Sequence, residues 1–181
     1  LTAGLLATLA AAIVTIAAVP RGTPPPREAI DVASVAAGVA ASEGRTVIAP
    51  EMSDAWIVNR AGVEGSGGVR AFTVVYAPAD ENARGFLRGA QGVAADPAWA
   101  ARVLSGSAPQ DTVTIDGITW DRYELDPGRA GNISVALAAD AGTDTVLIYG
   151  TASDDALEET ARSVTDQITA LRDAESIEET E

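Results

Sequence analysis

Carboxylates are abundant among the side chains in this sequence that could carry chemistry. The chain has 26 Asp and Glu among 181 residues, and two carboxylates held about 5 to 9 Å apart can hydrolyse a glycoside. No sequence pattern joins one of these acids to a partner group that would tune it for catalysis. We therefore predict no catalytic residue and no enzyme activity. The acids that are candidates for such a catalytic pair are Glu51, Asp54, Asp80, Glu81, Asp116, Asp121 and Glu124.

Other catalytic and metal chemistries lack their usual residues. The chain has no His and no Cys, which excludes a Ser-His-Asp triad, a thiolate nucleophile, a zinc ribbon and disulfide bonds. The Gly-rich run at 65–68 lacks the Gly-Lys-Ser/Thr ending of a phosphate loop. The run at 140–144 lacks the spacing of a calcium loop and is typical of a hairpin turn. We predict no cofactor and no metal.

The net charge of the chain limits the classes of partner that it can bind. The formal net charge is −14 and the 12 basic residues are all Arg. Nucleic acid binding needs a basic surface, so we predict no nucleic acid partner. Residues 154–181 carry ten acids against two Arg, which places much of the negative charge near the carboxyl end.

The first nineteen residues contain no charge and predict a membrane anchor. A helix over 1–19 would be about 28 Å long, close to the thickness of a bilayer core. A secretory signal peptide is the alternative, although its apolar region is usually shorter. One face of this helix carries small residues that suit packing against another helix, although Ala-rich composition alone also explains them. These packing candidates are Gly4, Thr8, Ala11, Thr15 and Ala18.

A proline-rich stalk is predicted at 20–29, because consecutive prolines favour an extended, semi-rigid chain. Arg21 and Arg27 follow the predicted span, and the positive-inside rule would place that side in the cytoplasm. Residues before Leu1 could carry further positive charge, so the residues alone leave the orientation open.

A folded domain is predicted over 30–172. Asp31 is the expected cap of a helix that Gly44 ends. Strands then alternate with turns, and Asp116-Gly117 predicts a type I′ hairpin. A short helix is expected at 96–104, capped by Asp96. A long final helix is expected from Ser153, and an acidic disordered tail over 173–181. The strands are predicted at 46–48, 56–60, 69–76, 84–91, 113–115, 119–125, 133–139 and 145–150.

The hairpin turns favour antiparallel pairing, so we predict an α+β fold in which a mostly antiparallel sheet is flanked by helices and preceded by one transmembrane helix. The final helix should pack on the sheet through an apolar stripe. Trp56 and Trp120 lie in strand patterns and are expected in the core. Trp99 is also expected in the core, with a surface contact to a ligand or partner as the alternative. The stripe consists of Leu157, Ala161, Val164, Ile168 and Leu171.

Scattered landmarks resemble a known family. They are Pro50-Glu51, Trp56, Asn59-Arg60-Ala61, the strand 69–76, Gln91, Gly117, Trp120, Gly150-x-Ala152, Leu157 and Ala161. Together they resemble the actinobacterial, membrane-anchored domain-of-unknown-function 4245 family over most of 30–172. The resemblance implies a single-pass protein of the cell membrane with its domain on the extracytoplasmic side. It implies no activity and no functional residues.

The order of elements also resembles PsbP-like domains, which serve as accessory subunits or binding modules. We therefore expect a non-catalytic accessory subunit of a larger membrane complex, for which an actinobacterial respiratory supercomplex is a candidate. Its expected partners are the lipid bilayer and other membrane subunits, contacted through the span and the outer domain. The alternative is a tethered module that binds a lipid, a cell-wall component or a cationic protein.

Overall fold

The structure is a computed structural model that describes residues 29–126, 128 and 131–178. In that part of the chain, no helix has the length and apolar character needed to cross a membrane. The predicted span and all but the last residue of the predicted stalk lie outside the described residues. The predicted packing residues lie outside them as well: Gly4, Thr8, Ala11, Thr15 and Ala18.

The described residues form one helix before the strands, one short helix among them and two helices after them. The helices are α1 (Val32–Glu43), α2 (Ala98–Val103), α3 (Asp154–Ser163) and α4 (Thr165–Glu178). The strands are β1 (Trp56–Ser66), β2 (Val69–Pro78), β3 (Leu87–Gly92), β4 (Asp111–Ile115), β5 (Ile118–Glu124), β6 (Val135–Ala141) and β7 (Asp144–Gly150).

One seven-stranded sheet has the order β1-β2-β3-β7-β6-β5-β4, and every pair in it is antiparallel. Two hairpin-connected runs, β1–β3 and β4–β7, therefore meet where β3 pairs with β7. All residues of β7 are buried, as expected for a central strand whose sequence is almost continuously apolar. The predicted α+β class with an antiparallel sheet is confirmed.

Local signals place several turns and caps correctly. Asp116 and Gly117 both have positive φ, 47° and 84°, which is the type I′ geometry expected of Asp-Gly. Asp31 accepts a hydrogen bond from the Ser34 amide at 3.1 Å, and Gly44 ends α1 in the left-handed region at φ 64°. These features depend on neighbouring residues only, so the sequence is sufficient to predict them.

The predicted strand at 46–48 is wrong. Residues 45–52 run over the sheet without joining it, and side chains satisfy their amides instead. The Ile48 amide donates to Gln91 Oε1 at 2.8 Å, and the Ala49 amide donates to Gln167 Oε1 at 2.8 Å. The apolar Val47 and Ile48 reach the core from this irregular segment.

Two expectations near the carboxyl end need correction. The single long helix is divided at Val164, whose amide bonds the Ala161 carbonyl oxygen, although the apolar stripe continues through the break. The part of the predicted disordered tail at 173–178 is helical, because α4 extends to Glu178. Arg172 holds this helix to the sheet by donating to the Asp140 carbonyl oxygen at 2.6 Å.

The cap expected for the short helix also differs. The cap position of α2 is Pro97, and no side chain caps the helix there. The Asp96 carboxylate bonds Arg102 instead, at 3.1 Å.

The two faces of the sheet are covered differently. The helical face lies under α1, α3, α4 and the segment 45–52, and it holds the larger core with Phe72, Trp120 and Ile148. The opposite face, here the α2 face, lies partly under α2 and holds a smaller core that includes Ala71, Ala90, Ala136 and Ala138. Between β1 and β3 the α2 face includes half-buried and exposed positions.

The sheet also has two distinguishable ends. At its upper end β1 begins, and β7 finishes beside the start of β3. The β1–β2 and β6–β7 turns lie at its lower end. Helix α1 packs along β1 and finishes at the lower end, where Glu43 pairs with Arg70 at 2.6 Å. Its twelve residues span about 18 Å, so we infer that the helix begins nearer the upper end.

Candidate functional site: an acid-rimmed cleft between β4 and α3

The carboxylates considered from sequence are dispersed over the domain. Asp116 occupies the β4–β5 turn, and Asp80 accepts from the Asn82 amide within its own loop at 2.8 Å. Glu51 lies near Tyr76, and Asp121 lies near Tyr123 on β5. Asp54 and Glu81 are exposed in loops. Only Glu124 belongs to a larger group of charged side chains.

That group surrounds Arg122 on β5. Its Nη1 donates to Glu124 Oε1 at 2.6 Å and its Nη2 donates to Asp154 Oδ2 at 3.0 Å. The pKa of Arg122 is raised, first by the hydrogen bond to Glu124. Desolvation opposes this increase, and the charges of Asp154, Glu124 and Asp111 each add a smaller increase. Arg122 is therefore a fixed positive charge among several negative ones.

A cleft of about 60 Å³ opens beside this arginine. Its floor is apolar and comes from two strands and one helix, while its rim is charged. The floor residues are Val113, Val135, Leu137 and Leu157, and the rim residues are Arg122, Asp154 and Glu158. A cleft of this size is smaller than the roughly 300 to 1,000 Å³ of a small-molecule site, and its lining offers apolar contact beside charged groups.

Local structure explains how these residues come together. Arg122 lies two residues after Trp120 on β5, so both side chains point to the helical face. Ser153 caps α3 by accepting from the Ala156 amide, which places Asp154 in the first turn, where a carboxylate is favoured by the helix dipole. Glu158 follows four residues later and therefore lies on the same side of the helix.

The charge balance around the cleft favours a cationic occupant. Three carboxylates, from Asp111, Glu124 and Asp154, act on Arg122. Glu158 adds a fourth on the rim, where it pairs with Arg162 at 2.6 Å, so four carboxylates stand against two arginines. The side chain of a Lys or Arg has an aliphatic stem and a charged end. Such a side chain can place its stem on the apolar floor and its charge among the carboxylates. In the residues that the structure describes, no group of three or more His, Cys, Asp or Glu could hold a metal ion.

A second polar group was not predicted from the sequence. Asp144, 1% exposed, forms an ion pair with Arg45, accepts from Gln91 Nε2 at 2.6 Å and accepts from the Ala94 amide at 3.0 Å. Gln91 also donates to the Thr46 carbonyl oxygen at 3.1 Å. The group attaches the segment after α1 to the lower end of the sheet. Because 99 residues separate Arg45 from Asp144, no local pattern could reveal their pairing.

Trp99 does not provide the surface contact considered for it. Its side chain is fully buried, and its Nε1 donates to the Ser66 carbonyl oxygen at 2.9 Å. The expected core role is the one observed. Trp99 fills the space between α2 and the β1–β2 turn, so it contributes packing rather than a binding surface.

Comparison with known proteins identifies the family. A family model described as a protein of unknown function (DUF4245) matches residues 1–164. The chain belongs to this family. The resemblance drawn from the scattered Trp, Gly and Pro landmarks is confirmed. No curated protein and no solved structure matches the chain. Membership in DUF4245 assigns no activity, so function has to be argued from the site.

Proposed function

We propose that this DUF4245 protein is a non-catalytic accessory subunit, anchored in a membrane by residues 1–19, whose folded domain binds a larger protein assembly. The observation that carries the proposal is the cleft at β4 and α3, where an apolar floor meets a rim of Asp154 and Glu158. An apolar centre with a charged rim is the usual organisation of a protein contact.

The use of the domain's polar groups supports a binding role over catalysis. Arg122 is held by Glu124 and Asp154, and Asp144 is held by Arg45 and Gln91. These contacts fix side chains in place and satisfy their charges. A charged side chain held beside an apolar surface can select a binding partner. Such binding needs no nucleophile and no general acid or base.

The second candidate is a tethered binding module for a cationic protein, a lipid or a cell-wall component. The excess of carboxylates at the cleft favours the cationic protein among these three. In this version the domain binds its partner transiently, and electrostatic attraction from a chain of net charge −14 speeds the encounter.

The cell context follows the family resemblance and belongs to the same proposal. The domain lies on the extracytoplasmic side of an actinobacterial cell membrane, and a respiratory supercomplex is one assembly that could hold it. The likeness to PsbP-like accessory domains stays a prediction, since no solved structure matches the chain.

Co-purification from native membranes tests the proposal. The full chain is isolated in mild detergent, and co-purifying chains are quantified by mass spectrometry. We expect a defined set of membrane subunits at constant stoichiometry. The same set should be lost with Glu158→Lys, because that change puts a positive charge on the cleft rim.

Asp155→Lys is the matched control. Asp155 is an exposed acid in the same helical turn and does not line the cleft, so the change in charge is identical. Recovery of the chain alone would contradict the proposal. Equal loss with both variants would show that general charge, rather than the cleft, holds the partner.

A further inference from the structure

An apolar row at the upper end of the α2 face runs from β1 across β2 to the residue just before β3. Ile57 pairs with Ala77, and extending the β2–β3 register by one residue beyond Tyr76 and Leu87 places Phe86 beside Ala77. Ile57 is 48% exposed and is the only exposed large hydrophobic side chain among the described residues. Ala77 and Phe86 are half-buried. These three residues are here called the upper corner.

Two arginines lie one row below the upper corner. Arg60 and Arg88 flank Val75 in the register, and their side chains are 65% and 38% exposed. The Arg88 guanidinium lies over the Phe86 ring at 6.0 Å from its centroid. Glu64 contacts both, at 3.2 Å from Arg60 and 3.9 Å from Arg88. A chain with an excess of acids thus places two cations directly behind its most exposed apolar row.

The start of α1 is inferred to lie on the same side of the domain. Helix α1 packs against β1, the strand that carries Ile57 and Arg60. Because its last residue, Glu43, pairs with Arg70 at the lower end, the helix begins nearer the upper end. The predicted stalk has nine residues before Ala29, which span at most about 28 Å in an extended polyproline form. A domain on so short a tether stays close to the bilayer, with this end nearest to it.

We propose that the upper corner rests on the phospholipid headgroup layer of the membrane that holds residues 1–19. Ile57 and Phe86 enter the interface between headgroups and acyl chains, and Arg60 and Arg88 bind lipid phosphates. This inference rests on the anchor in the proposed function. Planar guanidinium groups suit phosphate oxygens, and apolar side chains beside cations are the usual composition of an interfacial contact.

Acids in the adjacent loops limit the depth and the lipid preference of this contact. Asp54, Asp80 and Glu81 are exposed next to the corner and would be repelled by anionic lipid. The contact is therefore shallow, and it favours zwitterionic over anionic lipid. The cleft between β4 and α3 lies at the opposite edge of the sheet, so a partner can occupy it at the same time.

A single label tests the contact, because the chain has no cysteine of its own. The full-length Ile57→Cys variant carries an environment-sensitive fluorophore and is reconstituted into phosphatidylcholine nanodiscs. Lipids with a nitroxide near the headgroup are the quencher. We expect quenching at least about twofold above that of a control label, since the interfacial contact places residue 57 within the headgroup region.

The control label is Thr114→Cys, at an exposed position on β4 at the far edge of the sheet. A second variant, Phe86→Asp in the Ile57→Cys background, should remove the excess quenching while its circular dichroism and melting temperature report the fold. Anionic nanodiscs should give weaker quenching than zwitterionic ones.

Three results would overturn the inference. Equal quenching at positions 57 and 114 in retained protein would show that the corner does not meet lipid. Protection of residue 57 from both lipid nitroxide and aqueous iodide would show that a protein covers it. A chain that fails to incorporate into nanodiscs would remove the anchor, and the proposed function with it. Excess quenching without co-purifying subunits would support the contact and contradict the subunit role alone.

Discussion

The helical face and the α2 face of the sheet differ in the side chains that form their cores and in the helices that cover them. The helical face uses large side chains such as Trp120, Leu87 and Ile148 beneath three helices and the segment 45–52. The α2 face mixes alanines with larger side chains such as Leu147 and Tyr149 beneath one helix of six residues. A helix that short cannot cover seven strands, so the smaller face leaves part of β1–β3 accessible. Where a sheet is covered less, it has surface available for contacts.

The two faces also differ in how their covers are attached. On the helical face the buried Asp144 holds Arg45 and Gln91, so charge fixes the segment that follows α1. On the α2 face Trp99 fixes α2, through packing and one hydrogen bond to Ser66. The attachment of the segment after α1 depends on the buried, ion-paired carboxylate of Asp144. The attachment of α2 depends on the close approach of the Trp99 ring to Gly67 and Gly92. Each can be removed separately.

The largest effect is expected from Asp144→Ala. Removing this carboxylate leaves Arg45 without its ion-pair partner and takes one acceptor from Gln91. Loss of one partner from a buried ion pair costs about 3 to 5 kcal/mol, and the lower part of that range is expected because the Arg45 side chain is 25% exposed. Chemical denaturation should report the loss of unfolding free energy. Asp140→Ala is the control, because Asp140 is an exposed acid of the same hairpin and should cost about 1 kcal/mol or less. Equal losses would contradict the role of the buried pair.

The α2 face should be sensitive at Gly67. A Cβ at Gly67 would lie 2.8 Å from Trp99 Cδ1 and 2.9 Å from Val103 Cγ2, in a residue with φ 53°. Gly67→Ala should therefore cost about 2 to 3 kcal/mol through overpacking and left-handed strain combined. Hydrogen exchange in α2 should rise with it.

Gly68→Ala separates packing from strain at the same turn. Gly68 also has a positive φ, 85°, but a Cβ there would meet nothing within 4 Å. Only the conformational cost of about 1 kcal/mol is expected. If the two variants melt at the same temperature, contact with Trp99 does not secure α2.

Alkaline pH should weaken both faces through buried tyrosines. Burial raises the pKa of Tyr76 on the helical face, with Glu51 adding to it, and burial raises the pKa of Tyr123 on the α2 face, with Asp121 adding to it. An unfolded tyrosine has a pKa of about 10, so above that pH the folded state holds more protons. This contribution to stability is therefore complete below about pH 10 and is lost as pH rises toward the folded pKa values.

The two tyrosines should differ in size of effect. The shift is large only for Tyr76, whose hydroxyl also donates to the Pro50 carbonyl oxygen at 2.6 Å. Tyr76→Phe should flatten the fall in melting temperature above pH 10 more than Tyr123→Phe. A steeper fall in either variant would show that other groups control the alkaline limit.

The smallest effect is expected at the upper corner. Ile57→Ser changes an exposed side chain on the accessible part of the α2 face, so the free energy of unfolding should move by about 0.5 kcal/mol or less. Thermal melting of the chain in detergent checks this. A large destabilisation would show that Ile57 supports the fold and would place it outside the accessible surface.

Much of the fold could be predicted because its signals are local. The Asp116-Gly117 turn and the Ser153 cap involve only neighbouring residues, and the structure places both as expected. The stripe from Leu157 to Ile168 faces the core as predicted, although it runs across two helices, α3 and α4. The segment 46–48 was mistaken for a strand because its apolar residues suit a core from either conformation. Its amides bond to the distant side chains of Gln91 and Gln167, which local reasoning cannot supply.

The candidate site was less predictable than the fold. Glu124 was one of the candidate carboxylates from the sequence. Its ion pair with Arg122 and the position of Glu158 on the cleft rim depend on the contact between β5 and α3, which the sequence does not reveal. Trp99 illustrates the same limit, since an irregular neighbourhood suggested exposure as an alternative while the β1–β2 turn encloses the ring. Burial and charge pairing depend on contacts between elements. The periodicity of apolar residues in the sequence does not reveal these contacts.

The sequence by itself determined the absence of His and Cys chemistry, the net charge of −14, the α+β class and the DUF4245 landmarks. These depend on composition and on short-range backbone preferences. Only the tertiary structure decided that Asp144 meets Arg45, that carboxylates rim an apolar cleft, and that Ile57 and Phe86 lie on one row. Each of these brings together residues far apart in the chain, and the free energy that joins them comes from burial and pairing in the folded state.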